Sequence, residues 1–392
     1  MGIAVEIATT LVTVGGLVYL LLALAGAWQF AQDRRQRSAD APAFAPDVTL
    51  LKPIKGVDPQ MYAGLQSHCR QQYAGRFEIL FGVSDALDPA VAEIDHLRAE
   101  FPHCAIRLVV CPEQLGASGK VSNLIQMLAE ANYDHLLIND SDICVSPHYL
   151  TRVMSRFADA QVGLVTALYL GRTAALNRTG ARPTLWARLE ALGISTDLMP
   201  GVLTARRLEK GIHFGMGSTL AVSRTALAAI GGLEPLADAL ADDYELGARI
   251  SQAGFRVDLC SEVVETAIPA YSLRGFCQHQ LRWSRTLRDS RRWGYLGMSI
   301  TYCIPWAAAN CVASGLAPWS FSLLGLAILA RVAMALTIGV GVLGDRQVLR
   351  DLWLLPLHDC FGLAFWAWSY ASDTIVWRGE RFHLHNGQLT RA

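Results

Sequence analysis

Residues 7–28, IATTLVTVGGLVYLLLALAGAW, run 22 positions without a charged side chain. A helix of that length and polarity is long enough to cross a bilayer, whose hydrocarbon layer is ~30 Å thick and takes about 20 helical residues. A secretory signal is the alternative reading. The run is longer than an ordinary signal core, has no basic segment before it, and is followed by Arg34, Arg35 and Arg37 rather than a cleavage site. The sequence therefore predicts a retained anchor over residues 1–30, and the arginines place the downstream chain in the cytoplasm. Hydrophobic residues make up 52% of the chain and the formal net charge is zero, which favours further membrane segments and gives no basic signature for nucleic acid. The nine cysteines show neither C-x-x-C nor metal-ligand spacing, so neither zinc nor a disulfide framework is indicated. His96, His103, His135 and His148 form no ligand cluster either.

Residues 31–47 are polar and rich in Pro and Ala, the composition of a linker. From residue 48 strands and helices alternate. VTLLKPI, FEILFGVSD, AIRLVVC and HLLIND read as strands, with helices over 59–73, 89–101 and 120–131 between them. Such β-α-β repetition predicts an α/β domain over 48–273, its mostly parallel sheet covered by helices. Ligands of open sheets sit beyond the carboxyl ends of the strands, where Lys55, Asp85 and Asp140 close their strands. Downstream, VGLVTALYLG is strand-like, PTLWARLEALGISTDLMPGVL is an amphipathic helix, and DDYELGARISQAG is a helix stopping at Gly254. Residues 274–293 carry arginines on one side and Phe276, Leu281, Trp283 and Leu287 on the other, the pattern of an interfacial helix. The chain then returns to the membrane over 294–376, with spans expected near 296–315, 319–343 and 352–376. Three complete spans would leave the tail, 377–392, on the far side although its arginines prefer the near one; a re-entrant last segment would resolve that parity.

The chemistry-bearing residues begin with DSD at 140–142. A strand-end Asp-x-Asp offers oxygen ligands to a hard divalent ion, Mg²⁺ or Mn²⁺, whereas a turn or helix cap needs no ion at all. ADDY at 241–244 opens a helix, where acids also suit the positive helix end; its functional reading is a general base. HQLRW at 279–283 places Arg282 and Trp283 on the basic helix, fit to hold a diphosphate or simply to anchor at the interface.

In this order, strand-end acids, a later Asp-Asp-Tyr, an Arg-Trp pair and flanking spans resemble the membrane-bound family-2-type GT-A glycosyltransferases. LLKPIKGVDP, SDALDPAV, GKVSNL, DSDICV, ADDY, LRW and the closing WRGERFHL are similar to motifs of the ceramide glucosyltransferase family, family 21, and of the related bacterial hopanoid-biosynthesis glycosyltransferases. The resemblance runs from about residue 48 to the tail. It implies a GT-A, Rossmann-like domain facing the cytoplasm of a bacterial inner membrane. The reaction it implies is inverting transfer of a hexose from a UDP-sugar to a hydroxyl of a membrane lipid, ceramide or a hopanoid. By the same pattern Asp85, with Asp88 nearby, contacts the nucleotide, and Asp140 and Asp142 hold a metal-diphosphate. Asp243 is then the catalytic base with Asp242 its substitute, and Lys55 and Lys120 meet the nucleotide or diphosphate. Arg282 and Trp283 close the family's (Q/R)-x-x-R-W; His279 stands at its first position, a departure, with Gln278 or Gln280 as substitutes. The acceptor's walls are expected in 184–203 and 274–293 with GIHFGMGS, where His213 contacts the headgroup. A processive polysaccharide synthase shares D-x-D and R-W but needs more spans for a polymer channel. A catalytically inactive membrane scaffold would have no use for all these acids.

Overall fold

The computed structural model describes residues 2–39, 44–58, 60–173, 182–377, 380–385 and 387–391. Its centre is an eight-stranded sheet of β1 (Val48–Pro53), β2 (Phe77–Val83), β3 (Ala105–Val110), β4 (His135–Ile138), β5 (Ile143–Cys144), β6 (Val162–Thr173), β7 (Leu220–Ser223) and β8 (Arg256–Ile268). They lie in the order β3-β2-β1-β4-β7-β6-β8-β5. β1 runs parallel to both β2 and β4, β2 to β3, and β6 to β8. β7 is antiparallel to β4 and β6, and β5 to β8, so the sheet is mostly parallel but mixed. Helices Met61–Cys69, Ala90–Glu100 and Gly119–Glu130 connect the parallel strands. They bury both faces of β1, whose first five residues are all covered, as a helix-sandwiched parallel strand requires. Because β2 and β3 are laid down on one side of β1 and β4 on the other, the carboxyl ends of β1 and β4 form the switch point where such sheets bind ligands.

The apolar run is one helix, Gly2–Ala39, which continues nine residues into the stretch expected to be linker. It stays helical because it is packed: a Cβ added at Gly26 would lie 2.6 Å from the Leu203 carbonyl, so only glycine lets the anchor approach helix Met199–Leu208 so closely. Arg206 on that helix pairs with Asp33 of the anchor. The apolar N-terminal helix is thus docked on the α/β domain.

Among the described residues two helices are long and apolar enough to cross a bilayer, Gly2–Gln36 and Pro318–Val342, with a third crossing if Arg292–Thr301 and Cys303–Ala313, bent by 58°, act as one span. The expected span over 352–376 does not form as such. A single 3-10 turn precedes helix Leu355–Ser369, whose 15 residues reach only about 22 Å, short of the hydrocarbon layer. Buried Asp359 on this helix pairs with buried Arg331 of the spanning helix at 2.9 Å. The chain then turns into a three-stranded antiparallel sheet of β9 (Thr374–Trp377), β10 (Glu380–His385) and β11 (Gln388–Arg391), in the order β11-β10-β9. This tail sheet packs on the α/β domain at Leu240. A tail on the domain's own side requires an even number of crossings between them, which the bent pair, if it acts as one span, and Pro318–Val342 would supply. In that arrangement the short last helix need not cross.

Candidate active site

At the switch point Ser118 caps helix Gly119–Glu130, its hydroxyl accepting from the Val121 amide, and so sets Lys120 in the first turn facing the acids. The Lys120 ammonium lies 3.0 Å from Asp140 Oδ1 and 3.1 Å from Asp242 Oδ2. Burial alone would pull this ammonium down. The carboxylates of Asp140, Asp242 and Asp243 outweigh burial and hold it above the ordinary lysine range. Acids expected from two separate motifs, DSD and ADDY, therefore meet around one cation.

Asp243 is oriented by the backbone. Its Oδ2 accepts the Gly217 amide at 2.7 Å and its Oδ1 accepts the Tyr244 amide at 2.8 Å. A Cβ on Gly217 would lie 3.2 Å from Asp243 Oδ2 and 3.3 Å from Asp140 Oδ2, so the glycine stands in the gap between these two carboxylates. Burial, and then the charge of Asp242, push the Asp243 carboxyl up to about 6 against the opposing pull of Lys120. A carboxyl in that range accepts a proton near neutrality while giving it up readily, which is what general base catalysis needs.

Asp142 turns the other way, its Oδ2 accepting the Thr266 hydroxyl at 2.6 Å on β8. It lines a cavity of about 270 Å³ with Arg172, Glu265 and Thr266. Burial and then the Asp140 charge raise its carboxyl above the ordinary range. Among the described residues no three His, Cys, Asp or Glu side chains are gathered for a metal. Two mutually repelling carboxylates at a strand end nevertheless suit Mg²⁺ or Mn²⁺, which takes one or two protein carboxylates and completes its shell with phosphate oxygens and water.

Helix Leu273–Ser290 brings Arg282 and Trp283 alongside. Burial pulls the Arg282 guanidinium below the usual arginine range, while Tyr271, Glu190, Asp140 and Asp243 favour its charge. A group absent from any motif, the buried Glu190, lies beside His279, its Oε1 3.1 Å from Nδ1. Gln280 donates to the other Glu190 oxygen. The His279 ring lies between Tyr271, stacked at 5.4 Å, and Trp283, tilted at 5.1 Å.

Other expected site residues lie apart from this cluster. Lys55 is exposed, and the buried lysine of β1 is Lys52, whose ammonium donates to the Asp140 main-chain carbonyl at 3.2 Å. Burial pulls Lys52 down to about 7 against the attraction of Asp142 and Asp140. Asp88 ties loops together, accepting the Gly56 amide at 3.0 Å and the Ala90 amide at 2.9 Å, and exposed Asp85 caps its own turn at the Leu87 amide. His213 is exposed and bonded to Ser251 at 2.8 Å. Lys52 had one signal in the sequence, a lysine inside an otherwise apolar strand; Glu190, Gly217 and Thr266 had none.

This sheet order, with a carboxylate-lined switch point beside an arginine-bearing helix, is that of the GT-A glycosyltransferase fold. Its fold is similar to that of the mannosyltransferase PcManGT from Pyrobaculum calidifontis, solved with GDP-Man and Mn²⁺, at a TM-score of 0.50 and 19% identity, covering 95% of this chain and 98% of that one. A ceramide glucosyltransferase of Komagataella phaffii is 33% identical over 141 residues, 35% of this chain and 28% of its own length. Ceramide glucosyltransferase 1 of Caenorhabditis elegans is 23% identical over 364 residues, 88% of this chain and 73% of its own. The Glycosyl transferase family 21 model matches residues 8–390, and the chain belongs to that family.

Proposed function

We propose that the protein transfers a hexose from a UDP-sugar to a hydroxyl of a membrane lipid with inversion at the anomeric carbon. The acceptor is ceramide, glucosylated from UDP-glucose, or a hopanoid polyol, modified from UDP-N-acetylglucosamine. The observation that carries the reading is Asp243, a carboxyl raised to about 6, fixed by the Gly217 amide and set beside Asp140 and Lys120. Asp243 takes the proton of the lipid hydroxyl as its oxygen attacks the anomeric carbon from the face opposite UDP. The bond from that carbon to the diphosphate oxygen breaks, and Lys120 and Arg282 take up the negative charge that develops there. Asp140 and Asp142 are the residues that would hold Mg²⁺ or Mn²⁺, which when bound neutralises diphosphate charge as a Lewis acid. Asp85 and Lys55 lie toward the nucleotide in this reading, and Trp283 and His279 toward the acceptor. The domain faces the cytoplasm of a bacterial inner membrane, with Arg34 and Arg35 on that side.

Membranes carrying the protein, incubated with labelled UDP-glucose or UDP-N-acetylglucosamine and a panel of ceramides, hopanoids and glycerolipids, test the reading. One labelled glycolipid of single-sugar size is expected. A long polymer, or no transfer to any lipid, overturns it.

A further inference from the structure

The tail sheet touches the segment before Asp242 and the helix of Arg282, and Ala117 of the loop before Lys120 packs against its apolar face. β11 pairs with the strand-like segment just before Asp242: the Leu240 amide donates to the Gly387 carbonyl at 3.1 Å, the Leu389 amide to the Asp238 carbonyl at 2.8 Å, and Ala239 bridges Gln388. Leu240 is buried there among Ile375, Phe382, Leu384 and Leu389. That same segment grips the loop leading to Lys120. Asp238 Oδ1 accepts the Ala117 amide at 2.8 Å, and the Ala237 carbonyl accepts the Ser118 amide at 2.8 Å. On its other side the tail is bound by the helix of Arg282. Arg285 donates to the Thr374 carbonyl, Arg288 pairs with Asp373, and Asp289 accepts the Gly387 amide.

The geometry points to the C-terminal strands as a positioning clamp that sets the spacing of Lys120, Asp242–Asp243 and Arg282, elements otherwise distant in sequence. A patch that merely covered apolar surface would need the contacts of Leu384 and Leu389 with Leu240. It would not need main-chain pairing to the loop before the acids, nor polar ties to the helix of Arg282. Displacing reacting groups by about 1 Å costs on the order of 10²-fold in rate, so a clamp of this kind acts on turnover. The inference rests on the roles assigned above to Lys120, Asp243 and Arg282.

The test uses the full-length protein in lipid nanodiscs. Asp289→Ala cuts one of the three polar ties to the Arg282 helix without touching the apolar core, Leu389→Asp opens the apolar face, and Leu389→Ile is the conservative control. Asp289→Ala is expected to lower kcat about 10-fold and Leu389→Asp about 100-fold, with Leu389→Ile near wild type. Asp289→Ala is also expected to displace the acid limb of the pH–rate profile, because the charges around Asp243 are respaced, while its thermal unfolding stays at the wild-type temperature. Wild-type kcat and an unmoved acid limb in Asp289→Ala overturn the inference, even if Leu389→Asp unfolds. Asp243→Asn separates the two readings: if it remains active the assignment of the base fails, whereas an inactive Asp243→Asn beside a fully active Asp289→Ala removes the clamp alone.

Discussion

Lys120 and Asp140 are joined at 3.0 Å across the switch point, the ammonium coming from the helix after β3 and the carboxylate from the end of β4. Because the same ammonium also serves Asp242 at 3.1 Å, it is the local counter-charge for a crowded set of acids. Replacing Lys120 by Met removes that charge from beside Asp243, where it opposes the upward push of burial and Asp242. The acid limb of the pH–rate profile is expected to move to higher pH. The value of kcat/KM should fall on the order of 10²–10³-fold, as for loss of one electrostatic stabiliser. Steady-state kinetics of Lys120→Met against Lys120→Arg, which keeps the charge, measures both effects.

Asp243 itself fixes the sign of the pH dependence. With a carboxyl near 6, the base is protonated and idle below that pH, so kcat/KM should rise with unit slope up to about pH 6 and then level. Stability runs the opposite way. Between the ordinary 3.8 and about 6 the folded protein keeps a proton that the unfolded chain releases, so this group's contribution falls as pH rises through that window. Asp243→Asn should abolish turnover and remove this part of the stability slope, read by thermal unfolding across that pH range.

Divalent-ion dependence is expected to reside in Asp140 and Asp142. Chelation by EDTA should stop transfer, and Mn²⁺ or Mg²⁺ should restore it. Thr266→Val removes the hydroxyl that orients Asp142, so half-maximal activity should need on the order of 10-fold more Mn²⁺, the usual cost of a lost outer-shell partner. A metal titration of the variant that superimposes on wild type would exclude the role of Thr266.

Glu190 is buried with one oxygen toward His279 and the other toward Gln280. Glu190→Ala leaves Gln280 without its acceptor, and the loss of a partner for a buried polar group costs about 1–3 kcal/mol. The melting temperature should fall, and kcat with it, because a void opens beside the His279 ring that packs between Tyr271 and Trp283. Glu190→Gln, which can still accept, should recover most of the stability.

The parallel half of the sheet was legible because each strand announces itself as an apolar run ending in a polar residue, and each connecting helix has its own period. The antiparallel insertion of β7 was not, since LAVS carries no mark of direction. Lys55 stood out as the lysine after an apolar strand, but the strand's pleat and cover bury Lys52, which reaches Asp140. Residues 352–376 have the hydropathy of a span, yet the helix starts late and Asp359 within it is committed to Arg331. The pairing of Glu190 with His279, 89 positions apart, and of β11 with residues 238–240 exists only after folding, so no local pattern foretells it.

The docking of Gly26 against Leu203, with Asp33 on Arg206, has a kinetic meaning. The catalytic domain does not swing on a tether and sample the bulk solution; it travels with its leaflet. For an acceptor dissolved in that leaflet, collisions occur in two dimensions. Rates should then scale with the mole fraction of acceptor among the surrounding lipids, and diluting the bilayer with inert lipid should slow turnover where diluting the suspension with buffer does not.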